Sequence, residues 1–255
     1  MSGKIGPNNA PDAPDDVSGF IADGHAVSDD AGPVDDLADD LVIEQKNFRI
    51  RLADTENGRN SASMLINKMY AWRGYGSSHQ VKANPSRITL TASDKERVIG
   101  TVTLGIDSEE GLLADEIFKP EIDVRRKAGG KVCELTKLAF DPDIRSKFAL
   151  ASLFHIVFIY GRRMHGCTDV FIEVNPRHRR FYETMLGFRR LCEMRMNPRV
   201  NAPAVLLWVD IAYVEAQIMQ YGGTSDNPDT TRSLYPYFFS PREEAGIHGR
   251  LVSLG

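Results

Sequence analysis

KVCELTKLAFDPDIRSKFALASLFHIVFIY (131–160) decides the reading of this chain. Val132, Leu135, Leu138 and Phe140 give its first part the apolar content of a strand, yet Glu134, Thr136 and Lys137 place polar groups at the centre of that strand. Buried charge is too costly to be incidental, so chemistry is expected here. At Asp141-Pro142 the proline lacks an N–H and disfavours helix in the residue before it, which ends the strand. Arg145, Ser146 and Lys147 open the next element. Its run Phe148 to Tyr160 is too short to span a bilayer and too apolar for a surface helix, and reads as a core helix.

The 255 residues, 42% apolar and 26% charged, have the composition of an ordinary soluble protein with one substantial domain and extensions. No hydrophobic segment follows a basic start, so neither a secretory signal nor a transmembrane segment is expected, and the cytoplasm is the expected location. Cys133, Cys167 and Cys192 are odd in number and lack a CxxC pair, which argues against a disulfide framework or a metal site. Residues 1–44 carry eleven acids against one lysine, a net of −10; the whole chain is −4, which leaves +6 on residues 45–255. Rich in Asp, Ala, Gly and Pro, this acidic tail is expected to be disordered.

Around the deciding stretch, Asn47 to Ala53 alternates as a strand and Asn57 to Arg73 repeats at helical spacing. Arg87–Ala92 and Arg97–Ile106 read as a hairpin about the polar turn 93–96. Leu112 to Ile122 reads as a short helix, with 124–130 a basic connection into the strand. Asp169 to Val174 is a strand buried on both faces, and Arg177 to Leu186 a helix closed by Gly187. Phe188–Met196 and Ala204–Asp210 read as a last hairpin, followed by a short helix and the aromatic tail LYPYFF (234–239). The layout is α/β around a mixed, mostly antiparallel sheet flanked by helices: a tail at 1–44, a domain at 45–215 and an extension at 216–255.

The block FIEVNPRHRRFYETMLGF (171–188), with Phe181-Tyr182 on its helix and Gly187-Phe188 starting the next strand, resembles the GNAT acyltransferases. LLADEIFKPEIDVRRKAGGKVCELTKLAFDP (112–142) is similar to the FeeM-type long-chain N-acyl amino acid synthases, relatives of the acyl-homoserine lactone synthases. The Glu-Leu-Thr-Lys segment (134–137) matches the Glu-x-Ser/Thr-Arg/Lys pattern of the lactone synthases. The resemblance implies an N-acyltransferase that takes a fatty acyl group from acyl carrier protein and passes it to the amine of an amino acid. Acyl-CoA is a second possible donor, and no tightly bound cofactor is implied. A lactone synthase and a non-catalytic module that binds acyl carrier or lipid are the alternatives.

The GNAT pyrophosphate turn is glycine-rich, whereas Arg145-Ser146-Lys147-Phe148-Ala149-Leu150 has no glycine. A carrier-bound pantetheine has one phosphate, for which Arg145 and Lys147 are candidate donors. In a GNAT-like site Glu134 reads as the general base or as half of a structural ion pair, and Tyr182 as a proton donor to the thiolate or as core packing. Backbone amides of Leu138, Ala139 and Phe140 would face the thioester beside Thr136. Lys137 or Arg177 would pair with the acceptor's carboxylate, and Trp72, Phe118 and Phe154 are candidates for the acyl channel. Arg125, Arg126, Lys127 and Lys131 form a basic run suited to an acidic carrier; nucleic acid is not expected, and the aromatic tail leaves peripheral membrane contact open. His155 reads as a core histidine.

Overall fold

The computed structural model describes residues 43–45, 48–143, 146–225 and 232–254; residues 1–42 of the expected tail (1–44) and Arg145 lie outside them, while Ile43 and Glu44, expected to be disordered, belong to a strand paired with Phe48–Leu52. Nine strands occur among the described residues: β1 (Ile43–Gln45), β2 (Phe48–Leu52), β3 (Arg87–Asp94), β4 (Arg97–Ile106), β5 (Val132–Phe140), β6 (Asp169–Val174), β7 (Arg189–Arg190), β8 (Arg195–Asn197) and β9 (Ala202–Asp210). They form one sheet in the order β1-β2-β3-β4-β5-β6-β9-β7, with β8 paired to β9. Only β5 and β6 run parallel, joined by the crossover through helix α3 (Lys147–Phe158); every other pairing is antiparallel.

α1 (Glu56–Trp72), capped by the Thr55 hydroxyl, lays Ala62, Leu65, Ile66 and Met69 on one face of the sheet. α2 (Asp115–Lys127) covers the same face with Phe118 and Ile122. It runs five residues past the expected helix, through the segment expected to be a basic connection. Arg126 explains why: its guanidinium is held by Asp107, Asp115 and Asp123, which ties the last helical turn to the first and to the loop after β4. Phe118, just before Pro120, is non-helical, so the proline costs a kink rather than the helix.

The other face is covered by α3, a π-helical turn (Ile159–Met164), α4 (Arg179–Leu186), α5 (Ile211–Tyr221) and the C-terminal residues. α3 is buried all round because the aromatic tail and α6 (Pro241–Leu254) pack on its outer side, and its apolar composition matches that setting. His155 fixes the contact. Its Nδ1 accepts the Phe239 N–H at 3.0 Å and its Nε2–H faces Glu244 at 3.1 Å. Burial holds the imidazole below its ordinary pKa, in keeping with a neutral ring that accepts on one side and donates on the other. The expected last hairpin is broken: 192–194 leave the ladder, and of this arm 189–190 and 195–197 pair with β9, with the Leu191 N–H still donating to the Leu206 carbonyl.

Candidate acyl-transfer cleft

β5 and β6 pair only from Val132↔Asp169 to Leu135↔Ile172. Continued in that register, Thr136 would meet Glu173; instead the strands part there. β4 also shifts register against β5 between Thr103↔Thr136 and Thr101↔Ala139, so β5 carries one extra residue at the bulge. Lys137 adopts φ 52° in it, and its carbonyl accepts the Thr101 hydroxyl at 2.8 Å. The extra residue inverts the alternation. Before it Val132 packs toward α2; after it Ala139 packs toward α1, while Phe140 joins Leu135 and Leu138 on the α3 side. Beyond the bulge the Asp141 N–H is bonded to Ile99 of β4. Alternation along the strand then turns the N–H of Phe140, and of Leu138 before it, to the side that β6 has left.

The gap opens a cleft of about 280 Å³. Glu134 to Leu138 form one wall, Ile172 to Asn175 another, and Tyr70, Arg73, Tyr75 and His79 at the end of α1 a third. Phe154 reaches it from α3, Tyr182 from α4, and Asn197 and Arg199 from β8 and the turn after it.

Glu134 is 1% exposed. One oxygen accepts from Arg87 at 3.0 Å and from the Leu113 N–H at 2.8 Å, the other from the Ala114 N–H at 3.1 Å. Gly105 on β4 makes the space: a Cβ there would stand 3.0 Å from Glu134 Cγ. Glu173, which the sequence reading passed over, projects into the same cleft. Arg199 donates to it at 2.6 Å and Asn197 donates to its other oxygen. Burial, reinforced by the charge of Glu134, raises its pKa above the ordinary carboxylate value, against the pull of Arg199 and Asn197. Thr136 Oγ1, on the same cleft, is buried without a hydrogen bond, alone in this among the side-chain nitrogen and oxygen atoms of the described residues.

Lys137 donates to the Gln80 carbonyl, and burial lowers its pKa. Arg177, at the rim, donates to Tyr75 Oη at 2.9 Å and to His178 Nε2 at 3.1 Å. Burial and the flanking Arg73 and Arg177 charges push His178 down to about 4, so this wall of the cleft carries a neutral imidazole near pH 7. Tyr182 is buried, with its pKa raised by loss of water.

Other expected residues lie elsewhere. Trp72 is 63% exposed at the end of α1, stacked near Arg73, because α1 there has passed the edge of the surface it packs on. Phe118 is sealed between α2 and the sheet. Arg125 lies over the Trp208 ring beside Asp169, Arg126 is triply paired, and Lys127 and Lys131 flank the start of β5, its far end from the gap. Lys147 follows the open end, 5.4 Å from the Tyr237 ring centroid. At the N-terminus of α3 the Ser146 hydroxyl accepts the Ala149 N–H and Phe148 packs against Tyr237.

A model of the family described as N-acyl amino acid synthase FeeM matches residues 61–210, a stretch that includes β3 to β9 and both walls of the gap. The chain belongs to this family. A solved FeeM, an N-acyl amino acid synthase from uncultured soil microbes, superposes with a TM-score of 0.60 at 26% identity, covering 66% of this chain and 94% of that one. An N-acetyltransferase from Staphylococcus aureus Mu50 gives 0.44 at 14% identity over 65% and 98%. The acyl-homoserine lactone synthase LasI gives 0.48 at 10% over 64% and 90%. A search of curated proteins returns no match. The GNAT-like fold expected from the sequence is the fold observed, and the family is one of N-acyltransferases.

Proposed function

We propose that the chain moves a long-chain fatty acyl group from the thioester of an acyl carrier protein to the α-amine of an amino acid. The observation that carries this reading is the parting of β5 and β6 beyond Leu135 and Ile172, which leaves strand-edge amides beside two carboxylates in one cleft. Phe140 and Leu138 N–H groups bind the thioester carbonyl and take the charge that develops on its oxygen. The amine nitrogen attacks the carbonyl carbon, the C–S bond breaks, and the pantetheine thiolate leaves with a proton from Tyr182, which is reprotonated from solvent as the thiol departs. The proton lost by the amine passes to the Glu134 and Glu173 pair. Burial holds Glu173 above the ordinary carboxylate value, which brings it nearer the working pH. The Thr136 hydroxyl gains a partner only when the acceptor is bound, and Lys137 and Arg177 hold its carboxylate.

The absence of glycine from 145–150 and the bulk of Phe148 at the start of α3 favour a carrier-borne pantetheine over CoA, because close backbone approach to a pyrophosphate is hindered. Lys147 and the cations at the rim then face the acidic carrier.

Purified protein is incubated with long-chain acyl carrier protein and a mixture of the common amino acids, and the products are read by mass spectrometry. An N-acyl amino acid is expected, and its mass names the acceptor. An intact thioester beside bound carrier would instead identify a binding module.

A further inference from the structure

The aromatic stretch LYPYFF (234–239) lies outside the matched 61–210 and has no part in the transfer step. In the fold it is held at several points. The Leu234 N–H donates to the Met185 carbonyl, the Tyr235 hydroxyl to the Leu186 carbonyl at 2.8 Å, and the Phe239 N–H to His155. The Phe238 carbonyl accepts from Gly223. Tyr235 and Phe238 are 1% and 3% exposed. With Val157, Gly161 and Val214 they line a second, apolar pocket of about 50 Å³. It shares Leu135 and Phe154 as walls with the cleft, and Leu135 is the last residue of β5 paired to β6. The cleft and this second pocket therefore abut at Leu135 and Phe154.

We infer that this void takes the far end of the donor's acyl chain, and that Tyr235 and Phe238 form its closed end and set the chain length accepted. The inference rests on the acyl-transfer reading above. A hydrocarbon is the occupant because the walls are apolar, whereas a polar ligand would be desolvated without partners; the Tyr235 hydroxyl is already committed to Leu186. The void has room for roughly four water-sized groups, so it holds the tail of a chain whose upper part lies in the cleft. Anchoring by His155 and Leu186 makes the end wall fixed rather than adaptable.

The test is kcat/KM of the full chain across a series of saturated acyl carrier thioesters from short to long. Truncating the end wall by Phe238→Ala is expected to move the preferred chain longer by roughly two carbons and to raise the long-to-short ratio by roughly tenfold. Gly161→Ala fills the void from the opposite side and is expected to move the preference shorter. Its Cβ would meet Cys133 Sγ and Leu104 Cδ2 at 3.9 Å, ordinary contact, so this variant carries the test if Phe238→Ala does not fold. Profiles that superimpose on the parent's in folded, active variants overturn the inference and leave the transfer reading standing. A parent protein that transfers no acyl group to any amine overturns both.

Discussion

The two ends of β5 both carry buried or half-buried charge, and they use it in opposite ways. At the near end Arg126 is enclosed by three aspartates, with Arg125 laid on Trp208 beside Asp169. Toward the gap, Glu134 held by Arg87 and Glu173 held by Arg199 line one cleft together with the unsatisfied Thr136 hydroxyl. Near the start of the strand the ladder to β6 is intact and the ion pairs lie outside the cleft; from Glu134 onward the ladder runs out at Leu135, and the paired carboxylates and Thr136 face the cleft. Density of charge does not mark the site. The loss of strand pairing does.

The largest effect expected from testing this contrast is at the open end. Glu173→Gln and Glu134→Gln should each lower kcat/KM by about 10²- to 10⁴-fold while acyl carrier still binds, and the double variant should lose far less than the product of the two. Additive losses, read from the same steady-state assay, would separate the two carboxylates. At the closed end, Arg126→Ala leaves three carboxylates facing one another and should cost about 1–3 kcal/mol of stability in urea unfolding, allowing for partial solvent screening, with kcat/KM unchanged. A stability-neutral variant with reduced turnover would reverse the roles of the two ends.

A third expectation concerns pH. His155 has its folded pKa below the ordinary 6.5, so the unfolded chain takes up its proton first and stability falls as pH drops below 6.5 toward the folded value. Melting temperatures between neutral and mildly acidic pH should show this decline, and His155→Gln should flatten it. The smallest effect is expected from Lys127→Ala and Lys131→Ala, which stand at the closed end: KM for the acyl carrier should change less than twofold, since charges beyond a Debye length are screened. A large rise in KM would place the carrier there after all.

Much of this was legible in the chain. The polar centre of ELTKL, the proline stop and the all-apolar helix after it gave the strand, its end and α3, since each depends on local chemistry. Glu134 stood out because a carboxylate is costly in such a strand. Glu173 carried the same signal, a charge inside FIEVN, but its significance depends on a register that ends one residue earlier, and register is set by non-local pairing. Trp72 continued the helical spacing of Leu65 and Met69 and still fell outside, because spacing shows which face a residue shares and not where the neighbouring sheet ends. The cations at 125–131 looked like a docking run in sequence. Their partners Asp107, Asp115 and Asp169 come from three separate elements, which no local pattern reveals.

The most direct test is kcat/KM for the acceptor amine against pH in the parent protein and in Glu173→Gln. With Glu173 raised above its ordinary value by burial, the parent should gain rate with rising pH along a limb displaced above the usual carboxylate range. The variant should be slow and lack that limb. Superimposable profiles would contradict the account, because the open end of β5 would then hold its carboxylates for structure alone.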